Sequence, residues 1–302
     1  MALGRLWGWS GKSGTGFWGD DMTDAELKKI QKISLNMAKD FYGFCEEHGL
    51  LCYLCGGGCI GAVRNGGMIP WDDDLDFFMP RPDYEKAWRL WKKEKKHSRY
   101  VLEKPGRKLV THDLFFKIRD RSTTYIRDYE LDVAAVRGVA LDVLPLDGYP
   151  GNRVSRMWQC IWAYVYSLYC AQLVPVNHGW LIQLASKVLL AAVPDRRLRY
   201  RIWCFAEKQM TKYAKEKCIG YTELCSGPRY MKNYYPRDIF EKAVIVPFED
   251  TVMPVPQGYD RYLRTAFGDY MKLPPKEKCV PQHGAAVMDL DKSYDEWVKE
   301  HG

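Results

Sequence analysis

A chain of 302 residues, 47% hydrophobic and 27% charged, can bury a substantial core in one large or two closely joined domains, which excludes a disordered or low-complexity protein. Its formal charge of +7 suits an acidic or phosphorylated ligand and does not by itself call for nucleic acid. Ten cysteines at scattered spacings, with no secretory signal at the start, fit free thiols in a reducing cytosol rather than a disulfide framework.

Residues 1–22 are rich in Trp, Gly and Ser without a period and read as an irregular arm. Gly11-Lys12-Ser13 copies the end of a phosphate loop, but Leu6 stands where that motif needs glycine and no strand precedes it. A capping box at Thr23 and Glu26 opens a helix over 24–48, with Leu27, Ile30, Met37, Ala38, Phe41 and Cys45 at helical spacing. An apolar strand over 50–55 then runs into Gly56-Gly57-Gly58 and a short helical piece. Cys52, Cys55 and Cys59 lie in this run and lack the paired CxxC of a zinc site, so they read as structural thiols. After Gly66-Gly67 a second strand is predicted over 69–78, stopped by Pro80 and Pro82, and an amphipathic helix over 83–96.

Strands over 114–119, 123–126 and 139–144 complete a mixed sheet. Residues 157–186 carry no formal charge and break at 175–179 into two apolar pieces, which predicts a helical hairpin. The first piece approaches bilayer length, but Gln159, Ser167 and Gln172 and its scattered Trp and Tyr fit a buried or interfacial helix better than a span. A basic amphipathic helix over 195–217 follows, and the Pro-rich remainder folds back through a strand near 243–246.

The chemistry concentrates at Trp71-Asp72-Asp73-Asp74-Leu75-Asp76. An extended backbone there puts Asp72, Asp74 and Asp76 on one face and Asp73 with Leu75 on the other. Three like charges beside Trp71, Phe77 and Phe78 repel, a cost that a divalent cation would remove. Oxygen ligands without His or Cys beside them favour magnesium or manganese over zinc. The alternative is an Asp-rich turn before a strand. Gly56-Gly57-Gly58 tips the balance, because its backbone N–H groups can approach phosphate oxygens with no Cβ in the way. Glycine loop, short helix and Asp-x-Asp is the order that a nucleotide diphosphate site needs.

The stretch Gly56-Gly57-Gly58-Cys59-Ile60-Gly61-Ala62-Val63-Arg64 followed by Ile69-Pro70-Trp71-Asp72-Asp73-Asp74-Leu75-Asp76 resembles the signature of the LicD family, phosphocholine transferases related to the fukutin-type sugar-alcohol phosphate transferases. Residues 140–148 are similar to that family's third acidic strand and 267–275 to its C-terminal motif, so the resemblance covers about 32–283. It implies an α+β protein: a nucleotidyltransferase-like mixed β-sheet with flanking helices and an added helical subdomain. The expected division is an arm at 1–22, a catalytic core at 23–150, the apolar hairpin and basic helix at 151–218, and a C-terminal segment at 219–302 that packs back on the core.

Carried onto this chain, the resemblance makes Asp74 and Asp76 the catalytic metal pair and Asp142 the third carboxylate, with Gly57 and Gly58 cradling phosphate. Arg64 offers a bidentate guanidinium to phosphate, with a structural salt bridge as the alternative. Lys117 and Arg119, two apart on one strand, point the same way and would add positive charge near a diphosphate. Trp71 is the first candidate for a ring contact with a quaternary ammonium. Two departures stand out: Gly58 replaces the Thr or Ser often found in the family, and Gln282-His283 replaces adjacent histidines.

The implied reaction is magnesium- or manganese-dependent transfer of an alcohol phosphate, phosphocholine from CDP-choline before others, to a hydroxyl of a glycan or teichoic-type acceptor, lipid-linked or free. Glycerol- or ribitol-phosphate transfer, true nucleotidyl transfer, and a non-catalytic nucleotide- or glycan-binding module are the alternatives. The expected location is cytoplasmic, with the hairpin at 157–186 docked peripherally on the inner face of a membrane.

Overall fold

The computed structural model describes residues 22–95, 98–131, 133, 135–174, 179–213, 218–281 and 283–301. The expected arm at 1–22, save Met22, lies outside the described residues, as do Gln282 and most of the break at 175–179.

Helix α1 (Asp24–Glu47) starts as read: the Thr23 hydroxyl accepts from the Glu26 N–H and the Glu26 carboxylate accepts from the Thr23 N–H. Its apolar stripe buries Ile30, Met37, Phe41 and Phe44 in the main core, with Phe41 edge-on to Phe77 at 5.2 Å. Strand β1 (Tyr53–Cys55) leads directly into α2 (Gly56–Asn65), which Gly66 ends at φ +67°, a left-handed conformation that a side chain would strain.

Strand β2 spans only Asp76–Pro80, which corrects the expected strand over 69–78. Pro70 and Trp71 form a turn closed by the Asp72 N–H donating to the Ile69 carbonyl at 2.9 Å, and the chain stays unpaired through Leu75. The expected alternation of Asp72, Asp73 and Asp74 therefore does not apply, because strand geometry begins at Asp76.

Helix α3 (Arg81–Glu94), β3 (Tyr100–Glu103), β4 (Phe116–Asp120), β5 (Thr124–Ile126) and β6 (Ala140–Pro150) follow. The main sheet runs β1-β2-β6-β4-β3, with β2 and β6 parallel and the other neighbours antiparallel. The long β6 takes β2 and β4 along its first part; along its second it pairs with β7 (Cys218–Thr222), which pairs in turn with β8 (Tyr235–Pro236). The structure is thus a mixed α/β protein with a seven-stranded sheet.

Three helices follow β6: α4 (Arg153–Ala171), α5 (Trp180–Ala192) and α6 (Arg196–Met210). The close partner of α4 is α6 rather than α5, which revises the expected hairpin. Ala163, Tyr166 and Cys170 meet Trp203, Ala206 and Met210 in a second core. The buried Gln159 amide donates to the Gly148 and Met210 carbonyls, fastening α4 to β6 and α6. By contrast α5 buries only Ser186 and Leu190.

The C-terminal part holds the hairpin β9 (Ala243–Phe248) and β10 (Thr251–Pro256), α7 (Tyr259–Phe267), β11 (Val287–Asp289) and α8 (Tyr294–His301). Strand β11 pairs with β5, which carries residues near 283 to the acidic end of the sheet.

Candidate active site

Three charged residues stand in one row across adjacent strands. Asp76 on β2 is in register with Asp142 on β6, and Asp142 is in register with Lys117 on β4. Register partners project to the same face of a sheet, so the row gathers two carboxylates and an ammonium on one surface. Lys117 Nζ lies 3.5 Å from Asp142 Oδ2 and 3.0 Å from Asp113 Oδ1. Asp76 Oδ1, Asp142 Oδ1 and Asp113 Oδ2 are buried with no hydrogen-bond partner. Burying carboxylate oxygens unsatisfied is costly, and its occurrence on three neighbouring side chains fits residues that could hold a cation.

The unpaired loop before β2 adds more acids. Gln31 on α1 holds it by donating to the Ile69 and Asp72 carbonyls at 3.2 and 2.8 Å. Asp73 accepts from both the His283 backbone N–H and ring Nδ1, each at 3.0 Å, while Asp74 Oδ2 lies 3.3 Å from the same Nδ1. Asp73, Asp74 and His283 thus form a group whose ligand atoms are close enough to hold one metal ion.

Burial and mutual repulsion shape the charges. Asp76 is pushed well above the ordinary carboxylate range by burial, then by Asp74, Asp142 and Asp72, with Lys117 opposing. Burial and Asp74 raise Asp72 to about 7, and burial raises Asp74. Asp73 goes the other way: burial pushes it up, but the charge and hydrogen bond of His283, with Arg127 adding to them, bring it below its usual value. Burial and the Asp142 charge lift Asp113 to about 6 against the pull of Lys117. Burial would discharge Lys117, yet Asp113 and Asp142 hold it charged.

Helix α2 completes the surroundings. Because β1 and β2 are in register at Cys55 and Asp76, the helix starts next to Asp76 with its first-turn N–H groups free of intrahelical partners. Gly56 spends its N–H on the Tyr262 hydroxyl at 3.0 Å. A Cβ on Gly57 would stand 1.9 Å from Asp72 Oδ2, so the Asp72 carboxylate occupies the space that glycine leaves open. Gly58 turns to the core instead, where a Cβ would meet Leu75 and Leu54.

Of the residues read from the sequence, the structure brings Asp74, Asp76, Asp142, Gly57 and Lys117 to one end of the sheet. Arg119 is not brought there. Its guanidinium is buried between Glu103 and Glu130 and also donates to the Gly138 carbonyl. Lys117 and Arg119 share Asp113 as a charged neighbour, but Arg119 gives its hydrogen bonds to Glu103, Glu130 and the Gly138 carbonyl while Lys117 pairs with Asp113 and Asp142. Arg64 donates to the Tyr270 carbonyl and the Asn65 side chain at 3.0 Å each, with Asp72 among its charged neighbours. Trp71 is half-buried against the main core.

Three residues of the site escaped sequence reasoning, Gln31, Asp113 and Arg127, and His283 reads in the sequence only as the remaining half of the family's histidine pair. Gln31 faces the acidic loop from 41 positions away, and His283 bonds Asp73 from 210 away, so neither contact leaves a local pattern. Asp113 and Lys117 are four apart, but the intervening chain is not helical, so the helix pairing rule does not apply. Arg127 follows β5 and donates to Tyr129 Oη at 3.2 Å; burial opposes its charge, while Tyr129, Asp142 and Glu130 hold it.

Residues 49–162, which hold the glycine-opened helix α2, the acidic loop, Lys117 and Asp142, match the family model described as LicD/FKTN/FKRP, nucleotidyltransferase domain. The chain thus carries a LicD-type transferase domain at 49–162. Beyond that domain it is 27% identical over 272 residues to the lipopolysaccharide cholinephosphotransferase LicD of Haemophilus influenzae, an alignment covering 87% of this chain and 97% of that protein.

Proposed function

We propose that the chain transfers phosphocholine from a CDP-linked donor to a hydroxyl of a cell-surface glycan, lipopolysaccharide in the first instance, through a nucleotidyltransferase-like core at 23–150. The observation that carries this reading is the in-register row of Asp76, Asp142 and Lys117 with its unpartnered buried oxygens. The similarity to a cholinephosphotransferase over nearly its whole length supports the phosphocholine assignment. A teichoic-type acceptor and the glycerol and ribitol phosphates remain alternatives on the same site chemistry.

The residues fit a hard divalent cation, magnesium or manganese: Asp74, Asp76 and Asp142 offer buried oxygens, two of them unpartnered. Such an ion supplies Lewis-acid stabilisation of charge on the phosphoryl group being transferred. The chain's own groups divide the remaining work. Asp73 and His283 fix the loop, so that Asp74 is held against Asp76 and Asp142. Lys117 and Arg127 bring positive charge to the same end of the sheet, where a diphosphate needs it. The first N–H groups of α2, at Gly57 and Gly58, with Arg64 beyond them, form the proposed phosphate cradle, and Asp72 must leave Gly57 for a phosphate to approach. Trp71 is the proposed ring for the choline ammonium. Asp142 is in place to take the acceptor hydroxyl's proton when it is not ligating.

The test is CMP release from a panel of CDP-alcohols with purified protein, lipopolysaccharide acceptor and magnesium or manganese. CMP and phosphocholine-modified acceptor are expected from CDP-choline in preference to CDP-glycerol or CDP-ribitol. Pyrophosphate release from a nucleoside triphosphate, or nucleotide binding with no transfer across the panel, would overturn the reading.

A further inference from the structure

The outer face of α5 has no partner within the described residues. Trp180 is 71% exposed, Leu181 62% and Val188 57%, and Ile182, Leu184 and Leu189 are about as open. A helix apolar nearly all round belongs inside a core or against another apolar phase. At 13 residues α5 is about 20 Å long, and no described helix is long and apolar enough to cross a membrane. Its fitting orientation is therefore along an interface rather than through it.

Charge says what lies on the other side. Between Arg156 and Asp195 the only formal charge in the sequence is Lys187, which is exposed on α5. Where α5 gives way to α6, Arg196 and Arg197 meet Arg107 and Lys108 from the loop after β3, and these four basic side chains line one opening. Asp195 beside them is engaged in capping α6 through the Leu198 N–H. Arg199 donates to the Leu190 and Val193 carbonyls, which locks the basic end of α6 to the end of α5. An apolar cylinder with Trp at one end and clustered cations at the other complements acyl chains beneath anionic headgroups.

We propose that α5, with Arg107, Lys108, Arg196 and Arg197, is a docking surface for a bilayer containing anionic phospholipid. Helix α4 commits its buried face to α6 and leaves Met157, Trp158 and Ile161 exposed on another, so the surface tested is the α5 part of the uncharged stretch at 157–186, where the basic cluster lies. The assignment does not depend on what the acidic site transfers, since it concerns binding without substrate.

The experiment is vesicle flotation of the full chain in low salt, with vesicles of phosphatidylcholine alone or mixed with phosphatidylglycerol, and light scattering of the same samples without lipid. One variant carries Trp180→Gln, Leu184→Gln and Val188→Gln, all exposed; a second carries Arg196→Gln and Arg197→Gln. The native chain is expected to float with the mixed vesicles and to lose binding as salt is raised. The α5 variant should lose about tenfold or more of this binding with an unchanged melting temperature, and the arginine variant should lose the preference for phosphatidylglycerol. No flotation of the native chain on either vesicle, or flotation unchanged in the α5 variant, overturns the proposal. So does a native dimer that the α5 substitutions convert to monomer, because a second copy would then be what covers this face.

Discussion

Asp76 and Asp142 stand in register on the parallel strands β2 and β6, each with one side-chain oxygen buried and unpartnered. Neither can neutralise the other, and the ion pairs of Lys117 go to Asp142 and Asp113. Asp76→Asn and Asp74→Asn are each expected to lower transfer by about a hundredfold or more, because they weaken ligation without emptying the site. Metal-free protein should be as stable as the native chain or slightly more so, since a repelling charge has gone. Turnover and melting temperature with and without magnesium check both parts.

The pH response of chelated protein follows from the same crowding. Asp72 at about 7 and Asp76 raised well above its usual range are carboxylates whose folded values exceed the unfolded ones. Their contribution to stability is fully present below the unfolded value and is lost as pH rises through the folded one. Melting temperature in a chelator is therefore expected to fall between about pH 5 and pH 8, and added magnesium should flatten the slope. Glu223, buried with Tyr235 donating to it and raised by burial to about 7, adds a slope that metal leaves untouched. Glu223→Gln should remove that part alone, which a pH series of thermal melts would read.

Gly57 and Asp72 compete for one volume. Gly57→Ala should displace the Asp72 carboxylate, lowering both stability and turnover. Asp72→Ala in the same chain should restore much of the stability, because it vacates the space the new methyl needs. Gly58→Ala, whose contacts at 3.1 and 3.4 Å are the ends of Leu side chains, should cost less than Gly57→Ala. Denaturant melts of the native chain, Gly57→Ala, Asp72→Ala and the double variant give the coupling directly.

Lys117 and Arg119 should fail in different ways. Arg119→Met leaves the buried Glu130 without its ion-pair partner, while Glu103 keeps Arg137, and is expected to cost about 3–5 kcal/mol of stability. Lys117→Met should cut turnover far more than Arg119→Met does per folded molecule, with a change in apparent affinity for magnesium, because the cation facing Asp142 is gone. Equal loss of stability in both variants, with equal activity per folded molecule, would contradict this division.

Asp73→Asn is not a silent change. Asp73 accepts two hydrogen bonds from His283, so Asp73→Asn and His283→Ala are expected to lower turnover to similar extents and not to add in the double variant. Steady-state rates of the three proteins measure this, and full additivity would separate the two residues.

The parts legible in the sequence were those with local signals. The capping box at Thr23 and Glu26, the glycine opening of α2 and the strand carrying Asp142 all lie in short windows that fix backbone conformation. The acidic loop was harder, because a run rich in aspartate suits a turn as well as a strand, and the Pro70 turn delays β2 to Asp76. Arg119 shows the limit of the pattern, because strand alternation gives the direction of a side chain but not the acids waiting there. Placing α4 against α6 depends on the Gln159 hydrogen bonds and on Trp203, which no count of apolar residues reveals. His283 and Gln31 reach the loop only through tertiary folding.

The long sequence separation between Asp73 and His283 bears on how the protein is made. Chains emerge from the ribosome at about 5–20 residues per second, with earlier parts folding first. Strands β1 to β6 can assemble while the segment bearing His283 and β11 is still being synthesised, since 210 positions separate His283 from Asp73. During that interval the acidic loop has the Gln31 hydrogen bonds and its own turn but not the bonds of His283. Pairing of β2 with β6 is enough to bring Asp76 beside Asp142, whereas the placing of Asp73 waits until residue 283 has emerged.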